Sequence, residues 1–288
     1  GLTAARLPVV LATMPPLDPV TLDDKYTLAS GRVYLSGVQA LVRLPMMQRQ
    51  RDIAAGLDTA GFITGYRGSP LGTYDHALNA AHRHLEAHRI TFQPGVNEDL
   101  AATALWGTQQ VGLYDDRTCD GVFGIFYGKG PGVDRSTDAL KHANLAGCAP
   151  HGGVLLLAGD DHACQSSTTA HQSEQVLIAA MIPVLNPASV QDYLDFGLVA
   201  FALSRFSGCW IAMKAISETV ESSASVDVDP QRVRIVDPLD FAPPPDGLHL
   251  RWPDAPLDQE RRLHGPKMDA VRTFVRANRV DRIVLDAP

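Results

Sequence analysis

The stretch Gly121-Val-Phe-Gly-Ile-Phe-Tyr-Gly-Lys-Gly-Pro-Gly-Val-Asp-Arg-Ser-Thr-Asp-Ala-Leu-Lys-His-Ala-Asn-Leu-Ala146 decides the fold class of this chain. Gly121 to Tyr127 is a short apolar run of the kind that forms a buried strand. Tyr127 to Asp134 then reads as a Gly-rich turn, Asp134 to Ala146 as a helix, and Gly153 to Ala158 as the next apolar strand. Strand, loop, helix and strand at this spacing specify a parallel crossover unit.

The same alternation continues in both directions. Further strands are expected at Gly61 to Tyr66, Arg89 to Gln93, Ile182 to Leu185 and Cys209 to Ala215. Helices are expected at Gln39 to Thr59, Tyr74 to His88, Asn97 to Leu113, His171 to Met181 and Ser189 to Ser207. The expected fold is α/β, a doubly wound and mostly parallel sheet, over residues 28–220. In such sheets ligands sit at the carboxyl ends of the strands. Residues 1–27 read as a Pro-rich, extended N-terminal arm. Residues 221–288 read as a Pro-rich linker and a last helix, Gln259 to Asn278, leading toward a domain outside this chain. The ends at Gly1 and Pro288 read as cuts from a longer protein.

Composition narrows the function. With 25 basic and 32 acidic residues the formal charge is −7, which offers no cationic surface for a phosphate backbone, so nucleic acid is not expected as a partner. No apolar run reaches the roughly 18 to 20 residues of a membrane helix. Four cysteines, Cys119, Cys148, Cys164 and Cys209, stand without C-x-x-C spacing. That argues against a zinc site, a disulfide framework or an iron-sulfur ligand set, and fits reduced thiols in the cytoplasm.

Four polar or Gly-rich segments fall where strands end: Gly65-Tyr-Arg-Gly-Ser-Pro70, Pro94-Gly-Val-Asn-Glu-Asp99, Tyr127 to Asp134, and Gly159-Asp-Asp-His-Ala-Cys-Gln-Ser-Ser167. Loops are commonly rich in such residues; four at successive strand ends point to a site. In the second, Asn97 can cap a helix that places Glu98 in its first turn, where the helix dipole favours a carboxylate. Plain capping by Asn97, Glu98 and Asp99 explains the residues equally well.

The ordered set Tyr66-Arg-Gly-Ser-Pro70, Asn97-Glu-Asp99, Gly159-Asp-Asp-His162, Ser166-Ser167 and Glu174-Gln175 resembles the pyrimidine-binding domain of the indolepyruvate (2-oxoacid):ferredoxin oxidoreductases, most closely the fused bacterial type. The resemblance spans about residues 30–220. It implies thiamine diphosphate as cofactor, with Glu98 as the catalytic carboxylate at pyrimidine N1′. It implies cofactor contacts from Gly68, Ser69, Pro70 and Asn97, and substrate contacts from Ser69, Arg67 and His162. Arg67 replaces the family's proline, and His162 replaces the proline after Asp161. The implied reaction is oxidative decarboxylation of an aryl 2-oxoacid, with electrons to ferredoxin and the acyl group to coenzyme A. The diphosphate-binding domain, its Mg²⁺ and the iron-sulfur clusters would lie in another part of the same or a partner chain, in a dimer, so this chain alone would be inactive.

Other readings compete. A non-oxidative thiamine decarboxylase or ligase would use the same Glu98, and a degenerate pyrimidine-type domain would keep only the fold. Gly128-Lys-Gly-Pro-Gly132 imitates a dinucleotide loop of an NAD-linked dehydrogenase, although Pro131 removes a donor where phosphate would bind. Gly159-Asp160-Asp161 with Asn186 imitates a magnesium motif but lacks its last glycine, so no metal ligand is assigned. His84 and His88 are spaced like a metal pair but read as a solvated helix face. Trp106 is expected on an Ala/Gly-rich face of the Asn97 helix that packs on a partner.

Overall fold

A computed structural model describes residues 19–165 and 169–286, so Ser166 and Ser167 lie outside the described residues. The described residues form eight strands: β1 (Arg32–Ser36), β2 (Thr59–Gly65), β3 (Ile90–Phe92), β4 (Gly121–Lys129), β5 (Val154–Asp160), β6 (Val184–Leu185), β7 (Ile211–Ile216) and β8 (Ser223–Asp227). The helices are α1 (Asp24–Thr27), α2 (Gly37–Ala54), α3 (Tyr74–Ala80), α4 (His82–Ala87), α5 (Glu98–Thr108), α6 (Gly130–Arg135), α7 (Thr137–Ala146), α8 (Glu174–Ala179), α9 (Val190–Ser207), α10 (Ser217–Val220), α11 (Pro256–Arg262) and α12 (Met268–Asn278). A π-helical turn, Leu263–Lys267, joins the last two.

All six strands expected from the sequence pair into one sheet in the order β3-β2-β4-β5-β7-β6, every neighbour parallel. Both faces are covered, which is why β5 reads as an unbroken apolar run rather than an alternating one. Leu155 and Leu157 face one core with α2, α3, α9 and α12, while Val154, Leu156 and Ala158 face the other with α5 and α7. The doubly wound α/β class therefore holds.

Local chemistry sets the helix ends. Ser36 and Gln39 form a reciprocal capping box that starts α2. Inside α2, Pro45 has no N–H to give the carbonyl of Leu41, and the Tyr74 hydroxyl donates to that oxygen instead at 3.2 Å. Tyr74 also meets Tyr127 edge-on at 5.1 Å, so the start of α3 is pinned between α2 and the end of β4. This fixes both ends of the loop that carries Arg67, Ser69 and Pro70.

Three expectations change. The Gly-rich turn is largely helix: α6 begins at Gly130, with Pro131 in its first turn, where a missing N–H costs nothing. The helix expected over Tyr74 to His88 breaks at Ala81, and His84 is not on a solvated face but packs on Tyr26 at 5.4 Å between ring centroids. Residues 221–288 do not form a detached linker: β8 pairs antiparallel with β1, and Phe274 of α12 is buried against Phe206 at 5.5 Å. Neither β1 nor β8 was expected, because their pairing joins residues almost two hundred positions apart through short, polar-rich segments.

His249, in this last segment, donates through Nε2 to the Arg205 carbonyl at 2.6 Å, and burial lowers its pKa below 6.5. A base whose pKa is lower in the folded state stabilises the fold fully above its unfolded value and loses that contribution as pH falls through the interval down to the folded value. His88 is shifted in the same direction by burial. The melting temperature should fall as pH drops below about 6.5, and His249→Gln, whose amide can still donate to Arg205, should show a shallower fall. Parallel pH profiles of the two proteins would refute this coupling.

Candidate functional site

Glu98 is the first residue of α5. Asn97 caps that helix in an extended conformation, its side-chain oxygen accepting from Leu100 N at 2.9 Å. The cap turns the chain sharply, so Glu98 points inward toward the carboxyl end of β4 while Asp99 points out to Arg135 at 2.8 Å. Glu98 is only 7% exposed, yet its carboxylate accepts no hydrogen bond from any described residue. Its carboxyl group lies against Gly132 of α6. A Cβ there would stand 2.6 Å from Glu98 Cγ and 2.7 Å from its carboxyl carbon, so only glycine leaves the carboxylate its seat. Its oxygens keep a little solvent contact, so the carboxylate stands at the bottom of the rim, open to a ligand.

The other predicted cofactor residues share this end of the sheet. Gly65 ends β2 so close to Tyr127 that a side chain would collide with its backbone, and Gly95 N donates to the Gly65 carbonyl at 2.7 Å. This draws the loop before Asn97 onto the loop that bears Gly68, Ser69 and Pro70. Gly68 packs on the stem of Lys129, and Pro70 lies over Gly159. Ser69 is half-buried and Arg67 exposed.

No family model matches the chain. It is 26% identical over 209 residues to indolepyruvate oxidoreductase subunit IorA of Archaeoglobus fulgidus, an alignment covering 72% of this chain and 30% of that protein. A structure of 2-oxoglutarate:ferredoxin oxidoreductase from Magnetococcus marinus superposes with a TM-score of 0.55 at 14% identity, covering 84% of this chain and 45% of that one. Both findings support a likeness to the 2-oxoacid:ferredoxin oxidoreductases. The chain spans less than half the length of either relative, and at this identity the structural likeness concerns the fold.

At the same end of the sheet, His162 does not stand alone beside Asp161. Its Nε2 accepts from Lys214 Nζ at 3.3 Å, and its Nδ1 donates to the His171 carbonyl at 3.0 Å. Lys214, 5% exposed, bridges Glu174 at 2.6 Å and Asp160 at 3.2 Å. Asp160 is fully buried and also accepts from Ser173 N and Oγ, so its carboxylate is engaged inside the chain rather than presented to an ion. His171 bonds Asp134 at 2.7 Å and lays its ring on Gly130. The cluster therefore buttresses the same Gly130–Gly132 turn that seats Glu98.

Sequence reasoning did not single out Lys214, and it placed Asp134 and Gly132 in the Gly-rich segment after β4 without giving either this role. A signal existed for Lys214, a lone charge in the apolar strand Ile211-Ala-Met-Lys-Ala-Ile216. Gly132 carried no such mark, because its role appears only when α5 folds against α6. Trp106 is also placed otherwise than expected: it stacks on His142 at 6.4 Å, half-buried. The outward face of α5 instead shows Leu100, Ala104 and Gly107, next to exposed Val96. A cleft of about 580 Å³ lined by Asp52 and Arg205 lies at the amino ends of the strands, away from this chemistry, and those two residues satisfy each other in a bidentate pair.

Proposed function

We propose that this chain is the pyrimidine-binding part of a thiamine diphosphate-dependent 2-oxoacid:ferredoxin oxidoreductase and that Glu98 is its activating carboxylate. The observation that carries the reading is the buried Glu98 carboxylate, unpartnered and seated on a glycine. Such a group fits a ligand that offers it a single ring N–H, which is what pyrimidine N1′ offers. Thiamine diphosphate, when bound, supplies a carbon nucleophile that accepts the electron pair released on decarboxylation. Glu98 would hold the proton at N1′, and a cofactor that displaced the remaining water there would strengthen that hydrogen bond. Ser69 and Gly68, on the facing loop, would border the cofactor together with Pro70 and Asn97. Ser69 and Arg67 would bind the carboxylate or carbonyl of the 2-oxoacid, while His162, its ring nitrogens engaged by Lys214 and the His171 carbonyl, would border the substrate by its ring alone.

The name of the Archaeoglobus relative supports an aryl 2-oxoacid as substrate, and the ligands in the Magnetococcus structure support coenzyme A as acyl acceptor. Ferredoxin would take the electrons, and the Mg²⁺-diphosphate site would come from another domain, facing the Leu100 side of α5. A dinucleotide at Gly128 to Gly132 fits poorly, because the Glu98 carboxylate already occupies the ground where a phosphate would need positive potential.

Gly132→Ala tests the seat of Glu98. The new methyl meets the mobile end of a side chain, so Glu98 can swing away and the fold should survive. In the full-length enzyme this variant should lose about 100-fold or more in turnover, with a melting temperature within a few degrees of the parent. Full turnover in Gly132→Ala would mean that the position of Glu98 does not matter, and the proposed role would fall.

A further inference from the structure

A second cleft, of about 290 Å³, lies on the other side of the molecule's helical layer, between the middle of α9, residues 232–235 and the turn that ends α12. Four arginines line it, Arg232, Arg234, Arg279 and Arg282, against one carboxylate, Asp195. Arg232 is paired with Asp195 at 3.2 Å and approaches Asp227 at 4.0 Å. Arg234, Arg279 and Arg282 form no ion pair with any described residue; Arg282 lies over the ring of Phe196 at 5.7 Å. All three are exposed, and together they concentrate positive potential at one cleft of a chain whose formal charge is −7.

The cleft is also held in place. Arg279 has φ +49, a left-handed conformation usually left to glycine or asparagine after a helix. It is fixed there by Asn278, whose side chain accepts from Val236 N at 2.8 Å and donates to Val236 O at 2.9 Å. The backbone thus holds an arginine, rather than the usual glycine or asparagine, at a position that lines the cleft. Arginine rather than lysine suits an acceptor with paired oxygens, and the apolar floor of Phe196 and Val199 suits a flat or apolar group beside it.

We propose that this cleft binds a small anion carrying a diphosphate group, free or as part of a nucleotide. The cleft is too small for more than such a fragment. The inference does not depend on the reading of Glu98.

The test is calorimetric titration of the 288-residue chain with inorganic diphosphate, ADP and orthophosphate at constant ionic strength. Diphosphate and ADP should bind saturably and about tenfold or more tighter than orthophosphate. ADP tighter than free diphosphate would identify a nucleotide, and equal affinity the diphosphate alone. Arg279→Gly should weaken binding by about tenfold without lowering the melting temperature, because glycine accepts the left-handed conformation. Arg234→Gln should weaken it comparably, and Glu98→Gln should leave it unchanged, which separates this site from the rim of the sheet. Absence of saturable binding in the millimolar range, unchanged affinity in both arginine variants, or a polyglutamate peptide binding more tightly than ADP would overturn the proposal.

Discussion

Glu98→Gln in the full-length enzyme is expected to keep the fold and most of the cofactor affinity while slowing turnover by roughly 100- to 10,000-fold, the usual range for loss of a positioned proton-transfer group. An amide fills the seat on Gly132 as well as a carboxylate does, but it cannot take up and return the proton at N1′. Asp99→Asn is the control, one residue further along the same helix turn. It removes a largely exposed pair with Arg135, worth at most about 1 kcal/mol, and touches nothing at the carboxyl end of β4. The two variants share the loss of one negative charge near the start of α5, so the helix dipole cannot explain a difference between them. Hydrogen-deuterium exchange at thiazolium C2, measured beside turnover of an aryl 2-oxoacid, reads the step directly. Equal damage from both substitutions, or near-normal exchange in Glu98→Gln, would return Glu98 to the role of a helix-start residue.

Lys267→Met should cost about 1 to 3 kcal/mol of folding stability, a sizeable share of the 5 to 15 kcal/mol typical of a domain. Lys267 is fully buried, and its ammonium donates to the carbonyls of Asn144 at 3.3 Å, Leu145 at 3.5 Å and Gly208 at 3.2 Å. The first two belong to the last turn of α7 and the third to the cap of α9, which also accepts from Cys148 N at 3.0 Å, so the cation meets both helix dipoles favourably. Burial pushes the pKa of this ammonium below its usual value, a sign of how little water reaches it. Methionine keeps most of the side-chain volume and removes only the donors, so the measured loss reports the hydrogen bonds rather than a cavity. Urea unfolding of the 288-residue chain gives the value. A loss under about 1 kcal/mol would show that the three carbonyls find other partners.

How much was legible depended on distance along the chain. The strand β4, its neighbours and the helix start at Asn97 rest on signals within a few residues: apolar runs of strand length, and a capping side chain three positions before the amide it serves. These were readable. The start of α6 was misread as a loop because glycine carries little helical signal, whereas Pro131 and the Ser136 hydroxyl bonded back to the Gly132 carbonyl favour the helix once formed. Trp106 was assigned to an outward face because a helix pattern shows that a face exists, not which neighbour will take it. His142, on another helix, decided that.

The amino-acid sequence by itself determined the parallel α/β class and the end of the sheet where a site belongs, since both follow from local periodicity, while Glu98 as the candidate carboxylate came from the resemblance of its motifs to a family. Only the tertiary structure decided that Glu98 would be buried without a partner, because the glycine that seats it comes from α6, 34 residues further along the chain. It likewise decided that Lys214 would bind Asp160 and Glu174 behind that turn, and that residues 221–288 would return to pair with β1 and bring Lys267 under two helix ends. Burial and ion pairing depend on which groups meet after the chain has crossed the sheet, and no local pattern encodes the removal of water from a charge that a distant segment brings about.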